Sequence, residues 1–121
     1  FFEFVKSIAD ASTNGSVVRV APALIQPMAA DDVAAAVART AIAKPINGIV
    51  ECAGPQQFRL DEFVRQGLVA RKDSRTVFAD SNAGYFGVEV DERTLVPGDN
   101  AQLGEITFKA WLAQSAPAAV A

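Results

Sequence analysis

The chain has 121 residues, of which 50% are hydrophobic and 21% charged, with a formal net charge of −3. This composition is typical of one globular domain, and it contains neither the basic face of a nucleic-acid-binding protein nor an apolar run long enough to cross a membrane. The sequence has no histidine and a single cysteine, Cys52. An internal disulfide, a Ser-His-Asp triad and a histidine-ligated zinc site are therefore excluded.

The first predicted element is an amphipathic helix from residue 1 to about residue 11. Helical spacing of the apolar residues predicts that Phe1, Phe4, Val5 and Ile8 face the interior. A helix needs partners for its first N–H groups, and no capping residue precedes Phe1. We therefore expect the chain to be the carboxy-terminal part of a longer protein.

A turn at 13–16, a short strand at 17–20 and an extended stretch at 23–26 follow. Asp31 and Asp32 then open a second helix, because short acidic side chains suit an N-cap and the positive end of the helix dipole. The predicted apolar stripe of this helix consists of Val33, Ala36, Val37, Thr40 and Ala41.

The middle of the chain alternates strands and helices. The apolar run at 49–53 predicts a strand covered on both faces, as in a parallel sheet. A helix is predicted at 60–70, where Gly67 indicates a close contact between helix and sheet. A strand at 75–79 and a glycine-rich irregular segment at 81–100 come next. The residues of the third helix that we expect to be buried are Leu60, Phe63, Val64, Gly67 and Leu68.

The last predicted helix runs from 108 to 114 with Thr107 as its N-cap. We therefore divide the chain into an α/β region at 1–115 and a flexible tail at 116–121. The alternation predicts an α/β fold with three or four helices and short, mostly parallel strands.

Two blocks of the sequence carry a family resemblance. The first, QPMAADDVAAAV at 26–37, places D-D-V-A at the start of an alanine-rich helix. The second, GIVECAGP at 48–55, ends a strand in A-G-P, and LDEFV follows at 60–64. In order and spacing, about residues 1–70 resemble the NmrA-like NAD(P)H-binding proteins, which are atypical short-chain dehydrogenases/reductases. The segment around YFG at 85–87 is similar to one subgroup of them.

The resemblance implies the carboxy-terminal part of a Rossmann-like NAD(P)-binding fold. A missing amino-terminal dinucleotide-binding domain would then hold NADP or NAD, and no cofactor is expected for this chain alone. The chain itself has no G-x-G-x-x-G and no Tyr-x-x-x-Lys, since Glu89 lies four residues after Tyr85. The resemblance and the lack of a visible export or disulfide signature together indicate a cytoplasmic protein. A homodimer is a further assembly that we consider.

The candidate site residues are those that the resemblance and the predicted loops bring toward a ligand. No catalytic or metal-binding residue is assigned, because helix capping accounts for Asp31 and Asp32, and a lone Cys52 is typical of a small core residue. Core packing is the alternative for the phenylalanines, a plain edge connection for 26–28, and a hydrophobic plug for 85–86. The substrate-binding candidates are Phe1, Phe2, Gln26, Pro27, Met28, Tyr85 and Phe86.

The leading functional hypothesis is the substrate-side portion of an NAD(P)H-dependent oxidoreductase that acts on a small organic molecule. On this hypothesis the chain shapes the ligand pocket and is not catalytic by itself. A non-enzymatic NAD(P)H-sensing regulator of the NmrA type is the first alternative. The second is a small α/β domain that self-associates through exposed strands.

Overall fold

The computed structural model of the chain describes residues 1–115, so the predicted tail at 116–121 lies outside the described residues. Four α-helices and seven short strands are present in this part of the chain. The helices are α1 (Val5–Ala11, preceded by a 3-10 turn at Phe2–Phe4), α2 (Ala30–Ile42), α3 (Leu60–Ala70) and α4 (Phe108–Ser115). The strands are β1 (Thr13–Asn14), β2 (Val17–Val20), β3 (Leu24–Ile25), β4 (Cys52–Ala53), β5 (Phe58–Arg59), β6 (Thr76–Ala79) and β7 (Gln102–Leu103).

The strands form three small sheets. The first has the order β1-β2-β6, with β1 antiparallel and β6 parallel to β2. In the second, β3 and β5 pair antiparallel, and in the third β4 and β7 pair parallel. The fold is therefore mixed α/β. Only two of these four pairs are parallel, so the predicted excess of parallel strands is wrong. One reason is the tight turn at Gly15, which has a φ of 65° and folds β1 back on β2.

Helix α3 packs on one face of the first sheet and against α1, and Val18, Val20 and Val77 of the sheet contribute buried side chains to this core. An aromatic cluster extends this core toward α4. Its ring centroids lie between 4.6 and 6.4 Å apart, a range in which aromatic pairs add to the burial energy. The cluster consists of Phe2, Phe58, Phe63, Phe108 and Trp111.

The inward face of the first helix differs from the prediction. Phe1 and Phe4 are 47% and 49% exposed, whereas Phe2 is 1% exposed and belongs to the core. The reason is the 3-10 turn, in which side chains three residues apart lie on the same side. The rings of Phe1 and Phe4 therefore contact each other on the outside, tilted by 48° with centroids 5.3 Å apart, while Phe2 and Val5 both point inward.

Helix α3 has the bounds and the buried residues that the sequence predicts. The contact at Gly67 is a different one, however. A Cβ at this position would lie 2.4 Å from Cγ2 of Val5 in α1. Gly67 therefore permits two helices to approach each other, and the predicted contact between helix and sheet is wrong.

The segment from α2 to β4 is far more exposed than its sequence predicts. Of the thirteen residues of α2 only Ala36 is buried. Ile49 is 94% exposed, and Glu51 and Cys52 also lie on the surface. The strand reduces to Cys52–Ala53, so the prediction of a strand covered on both faces does not hold within residues 1–115.

None of the helices within residues 1–115 combines the length and the apolar character that crossing a membrane requires.

Candidate functional site

The two sequence blocks meet where β3 and β4 end. The Gly54 N–H donates to the Gln26 carbonyl at 3.1 Å, and Nε2 of Gln26 donates to the Gly54 carbonyl at 2.8 Å. Oε1 of Gln26 also accepts a hydrogen bond of 3.1 Å from Nε2 of Gln57. A Cβ on Gly54 would lie 1.8 Å from the Pro27 carbonyl oxygen, so only glycine fits. Residues 26, 27 and 54 form what we call the strand-end junction.

Gln26 and Pro27 both make contacts within the chain at this junction. The amide of Gln26 is engaged on both its nitrogen and its oxygen, and Pro27 is buried. This arrangement corresponds to the edge connection with a hydrogen-bonding glutamine. Met28, the next residue, is the member of this segment that reaches an open groove.

An apolar groove of ≈ 430 Å³ lies between α2 and the segment that leads into β4. We call it the α2–β4 groove. Its side chains are uncharged, and its one hydroxyl, on Thr40, donates to the Ala36 carbonyl at 2.9 Å. The groove therefore suits an apolar surface rather than an ion. Its lining includes Met28, Val33, Ala36, Val37, Val50 and Cys52.

Phe2 and Glu3 hold the segment between the junction and α2. The Phe2 N–H donates to the Met28 carbonyl at 2.7 Å. The carboxylate of Glu3 accepts the Ala30 N–H at 3.1 and 3.2 Å and the indole N–H of Trp111 at 3.0 Å. Glu3 therefore caps α2 from 27 residues away and ties it to α4. Local sequence gives no signal for such a distant cap.

The acidic pair at the start of α2 does not cap its own helix. The helix begins at Ala30, and its N-cap residue Ala29 makes no side-chain cap bond. Oδ2 of Asp32 instead accepts the Ile106 N–H at 2.9 Å, and a Cβ on Gly104 would lie 2.4 Å from that oxygen. Asp32 thus anchors the loop after β7, and the predicted capping role is wrong. Within residues 1–115, no three Cys, Asp or Glu side chains gather in a way that could hold a metal ion.

Tyr85 and Phe86 belong to a tight turn away from the groove. The N–H of Tyr85 donates to the Val88 carbonyl at 2.7 Å, and the Val88 N–H donates to the Tyr85 carbonyl at 3.0 Å. Phe86 and Gly87 have φ values of 47° and 80°, and the Phe86 ring meets the Tyr85 ring edge-on at 4.9 Å. Phe86 is 54% exposed.

Tyr85 is half-buried, packs against the core and lines a narrow crevice. The walls of the crevice include Ile8, Val20 and Leu60, and it has no room for a water molecule. Burial raises the pKa of the Tyr85 hydroxyl above its ordinary value. This geometry corresponds to the hydrophobic plug rather than to a lid over an open pocket.

The predicted site residues therefore do not converge on one pocket. Gln26, Pro27 and Met28 lie at the junction and the groove, and Phe2 is bonded to Met28 through its backbone. Tyr85 and Phe86 line a different crevice. Phe1 is exposed beside Phe4. Sequence reasoning missed the long-range roles of two carboxylates in this region, Glu3 as a distant cap and Asp32 as a loop anchor.

Comparison with known proteins finds no protein-family model, no curated protein and no solved structure that matches the chain.

Proposed function

We propose that the chain is the substrate-side portion of an NAD(P)H-dependent oxidoreductase of the NmrA-like kind. The observation that carries the proposal is the strand-end junction. The two blocks on which the resemblance rests are 28 residues apart at Gln26 and Gly54, yet they touch through two hydrogen bonds. Ligands of α/β proteins gather near the carboxyl ends of strands, and the junction joins two such ends.

The α2–β4 groove has the apolar lining expected of a site for a small, mainly apolar organic ligand. Its volume of ≈ 430 Å³ falls within the range of small-molecule sites, about 300–1,000 Å³. In this proposal a dinucleotide-binding domain, within a Rossmann-like whole, supplies NADP or NAD in the cytoplasm, and the cofactor supplies the hydride. The part played by Met28 and its neighbours is to position the ligand and exclude water.

Calorimetric titration of NADPH tests this proposal. The gene product isolated from its own cells is expected to bind NADPH stoichiometrically, because the dinucleotide-binding domain is part of it. The 121-residue chain alone is expected not to bind. Tight, stoichiometric binding of NADPH by the chain alone would contradict the proposal.

A regulator that senses NAD(P)H without turning over a substrate is the second candidate. The observation in its favour is the position of Tyr85, which is the only tyrosine of the sequence and lines a separate crevice rather than the groove. An assay of NADPH oxidation with quinones and aldehydes separates the two candidates. Steady turnover supports the oxidoreductase, and binding without turnover supports the sensor.

A further inference from the structure

The surface from α2 to β4 has the apolar character of a protein interior. Residues 37–52 are exposed without interruption. We call residues 33–52, which also provide most of the groove lining, the docking surface. An apolar stripe on a helix is typical of a face that packs against another element, and α2 carries such a stripe with only three charged side chains in thirteen residues. Its most exposed large side chains are Val37 at 63%, Ile42 at 89%, Ile46 at 66% and Ile49 at 94%.

Strand β4 offers an open edge at the end of this surface. It pairs with β7 in parallel, Cys52 opposite Gln102 and Ala53 opposite Leu103. Within residues 1–115 no strand lies on its other side. Parallel sheets are normally covered on both faces, and an open apolar edge invites another strand.

The size of the docking surface indicates a folded partner. Its twenty residues correspond to one side of a standard protein interface, which has about 20–30 residues. A small ligand would cover only the groove.

The chemistry of the surface favours an α/β body over a second copy of this chain. A two-fold axis would pair β4 with its own copy in antiparallel fashion, whereas the apolar run at 49–53 is typical of a strand inside a parallel sheet. Arg39 and Lys44, at the far end of α2, are both basic, and so they favour acidic groups at the rim of the partner. The third charged residue of the docking surface is Glu51, whose carboxylate accepts a hydrogen bond from the Gly98 N–H at 3.2 Å.

We propose that the docking surface seats an α/β domain whose parallel sheet continues through the open edge of β4. Resting on the proposed function, we identify this body as the dinucleotide-binding domain. The seat lies beside the groove, so the same contact would bring the cofactor to the ligand.

The thiol of Cys52 reports on this contact, because the residue lies in β4 and is exposed in the chain. The test uses the full gene product and an alkylating thiol reagent, with the labelled peptide quantified by mass spectrometry. The reference rate is that of the same peptide in denaturant. The control is a Val69→Cys variant of the gene product, since Val69 is 70% exposed on α3, outside the docking surface.

We expect Cys52 to be labelled at least about 100-fold more slowly than in denaturant, and the cysteine at 69 within about tenfold of its reference. Rapid labelling of Cys52 would overturn the proposal. Protection that disappears on dilution would overturn it in favour of a second copy. NADPH binding is measured on the same sample. Protection without NADPH binding would support the docking surface and contradict the proposed function, and binding without protection would do the reverse.

Discussion

At the scale of single residues, Glu3 caps the amino end of α2, the role that the sequence assigns to Asp31 and Asp32. Its carboxylate accepts bonds from α2 and from Trp111 of α4. We expect Glu3→Ala to lower the free energy of unfolding by about 1–2 kcal/mol, since a cap and a side-chain bond are lost together. Urea unfolding measures this loss, and the emission of Trp111, the only tryptophan, should change with it.

A matched carboxylate serves as the control for Glu3. Glu89 is exposed in the irregular segment. Glu89→Ala should change stability by no more than about 0.5 kcal/mol and leave the tryptophan emission unaltered. Equal losses in the two variants would argue against a capping role for Glu3.

Gly67 gives a second prediction because two rules oppose each other there. Glycine to alanine inside a helix normally stabilises by about 1 kcal/mol. Here the new Cβ would meet Val5, which is β-branched and 1% exposed, at 2.4 Å. We expect Gly67→Ala to destabilise the chain by roughly 1–3 kcal/mol instead.

The Val5→Ala background tests the cause of that loss. With Val5 truncated, the obstructing methyl group is gone, and Gly67→Ala should become neutral or stabilising. The two substitutions should therefore couple by about 0.5–3 kcal/mol in a double-mutant cycle of urea unfolding. Additive effects would show that Val5 is not the obstacle.

At the scale of elements, the strand-end junction depends on the absence of a side chain at residue 54. Gly54→Ala would place a carbon 1.8 Å from the Pro27 carbonyl oxygen. The atoms that it would meet belong to the backbone of Pro27 and Met28, which cannot rotate away as a side chain could. We expect a loss of roughly 3 kcal/mol or more. Gly48→Ala is the control, because its nearest neighbour would be the Ile46 carbonyl oxygen at an ordinary 3.8 Å. Chemical denaturation measures the free energy of unfolding of both variants, and the control should change it by at most about 1 kcal/mol.

The end of α1 and the start of β6 are joined by a charged cluster around Arg75. Its guanidinium bonds Asp73 at 2.8 Å, Asp10 at 3.0 Å and Thr13 at 2.8 Å. Hydrogen bonds from Arg75 lower the pKa of Asp73, and hydrogen bonds from Lys6 and then Arg75 lower the pKa of Asp10. Because the folded pKa values lie below the unfolded ones, this stabilisation is complete above about pH 4 and is lost as the pH falls further.

Arg75→Met should therefore flatten the acid side of the stability profile. The difference in Tm between pH 7 and pH 3 is expected to be smaller in this variant than in the parent chain. Arg71→Met removes the same charge from an exposed position at the end of α3, and should leave the difference unchanged. The same difference in Tm between pH 7 and pH 3 in all three proteins would contradict the role of Arg75.

The contrast between α3 and α2 shows how far the sequence predicts this fold. Helix α3 finds its partners, α1 and β6, within the chain, so its apolar pattern alone predicts its bounds and buried face. Helix α2 and the run that leads into β4 also carry apolar patterns, but within residues 1–115 most of their side chains are exposed, and only Ala36 of α2 is buried. Periodicity indicates that a face is to be buried and does not identify the element that buries it.

The candidate site is less predictable for a related reason. The family resemblance places Gln26, Pro27 and Met28 at a strand end near a ligand, but whether a side chain bonds the backbone or faces a groove depends on residues far along the chain. Gln26 is engaged by Gly54 and Gln57, which leaves Met28 to line the groove. The cap from Glu3 depends on the same long-range geometry, which local pattern rules do not describe.

At the scale of the whole molecule, the docking surface should contribute little to the stability of the chain alone. Ile46 and Ile49 are 66% and 94% exposed, so Ile46→Lys with Ile49→Lys removes almost no buried area. We expect the free energy of unfolding to change by no more than about 0.5 kcal/mol per substitution. Binding of a hydrophobic dye, by contrast, should fall clearly, because an exposed apolar patch is its target. Ile25→Lys, at a residue 7% exposed, is the contrasting variant and should unfold the chain. A loss of several kcal/mol in the Ile46/Ile49 variant would mean that these side chains pack within the chain, and the case for a partner at this surface would fail.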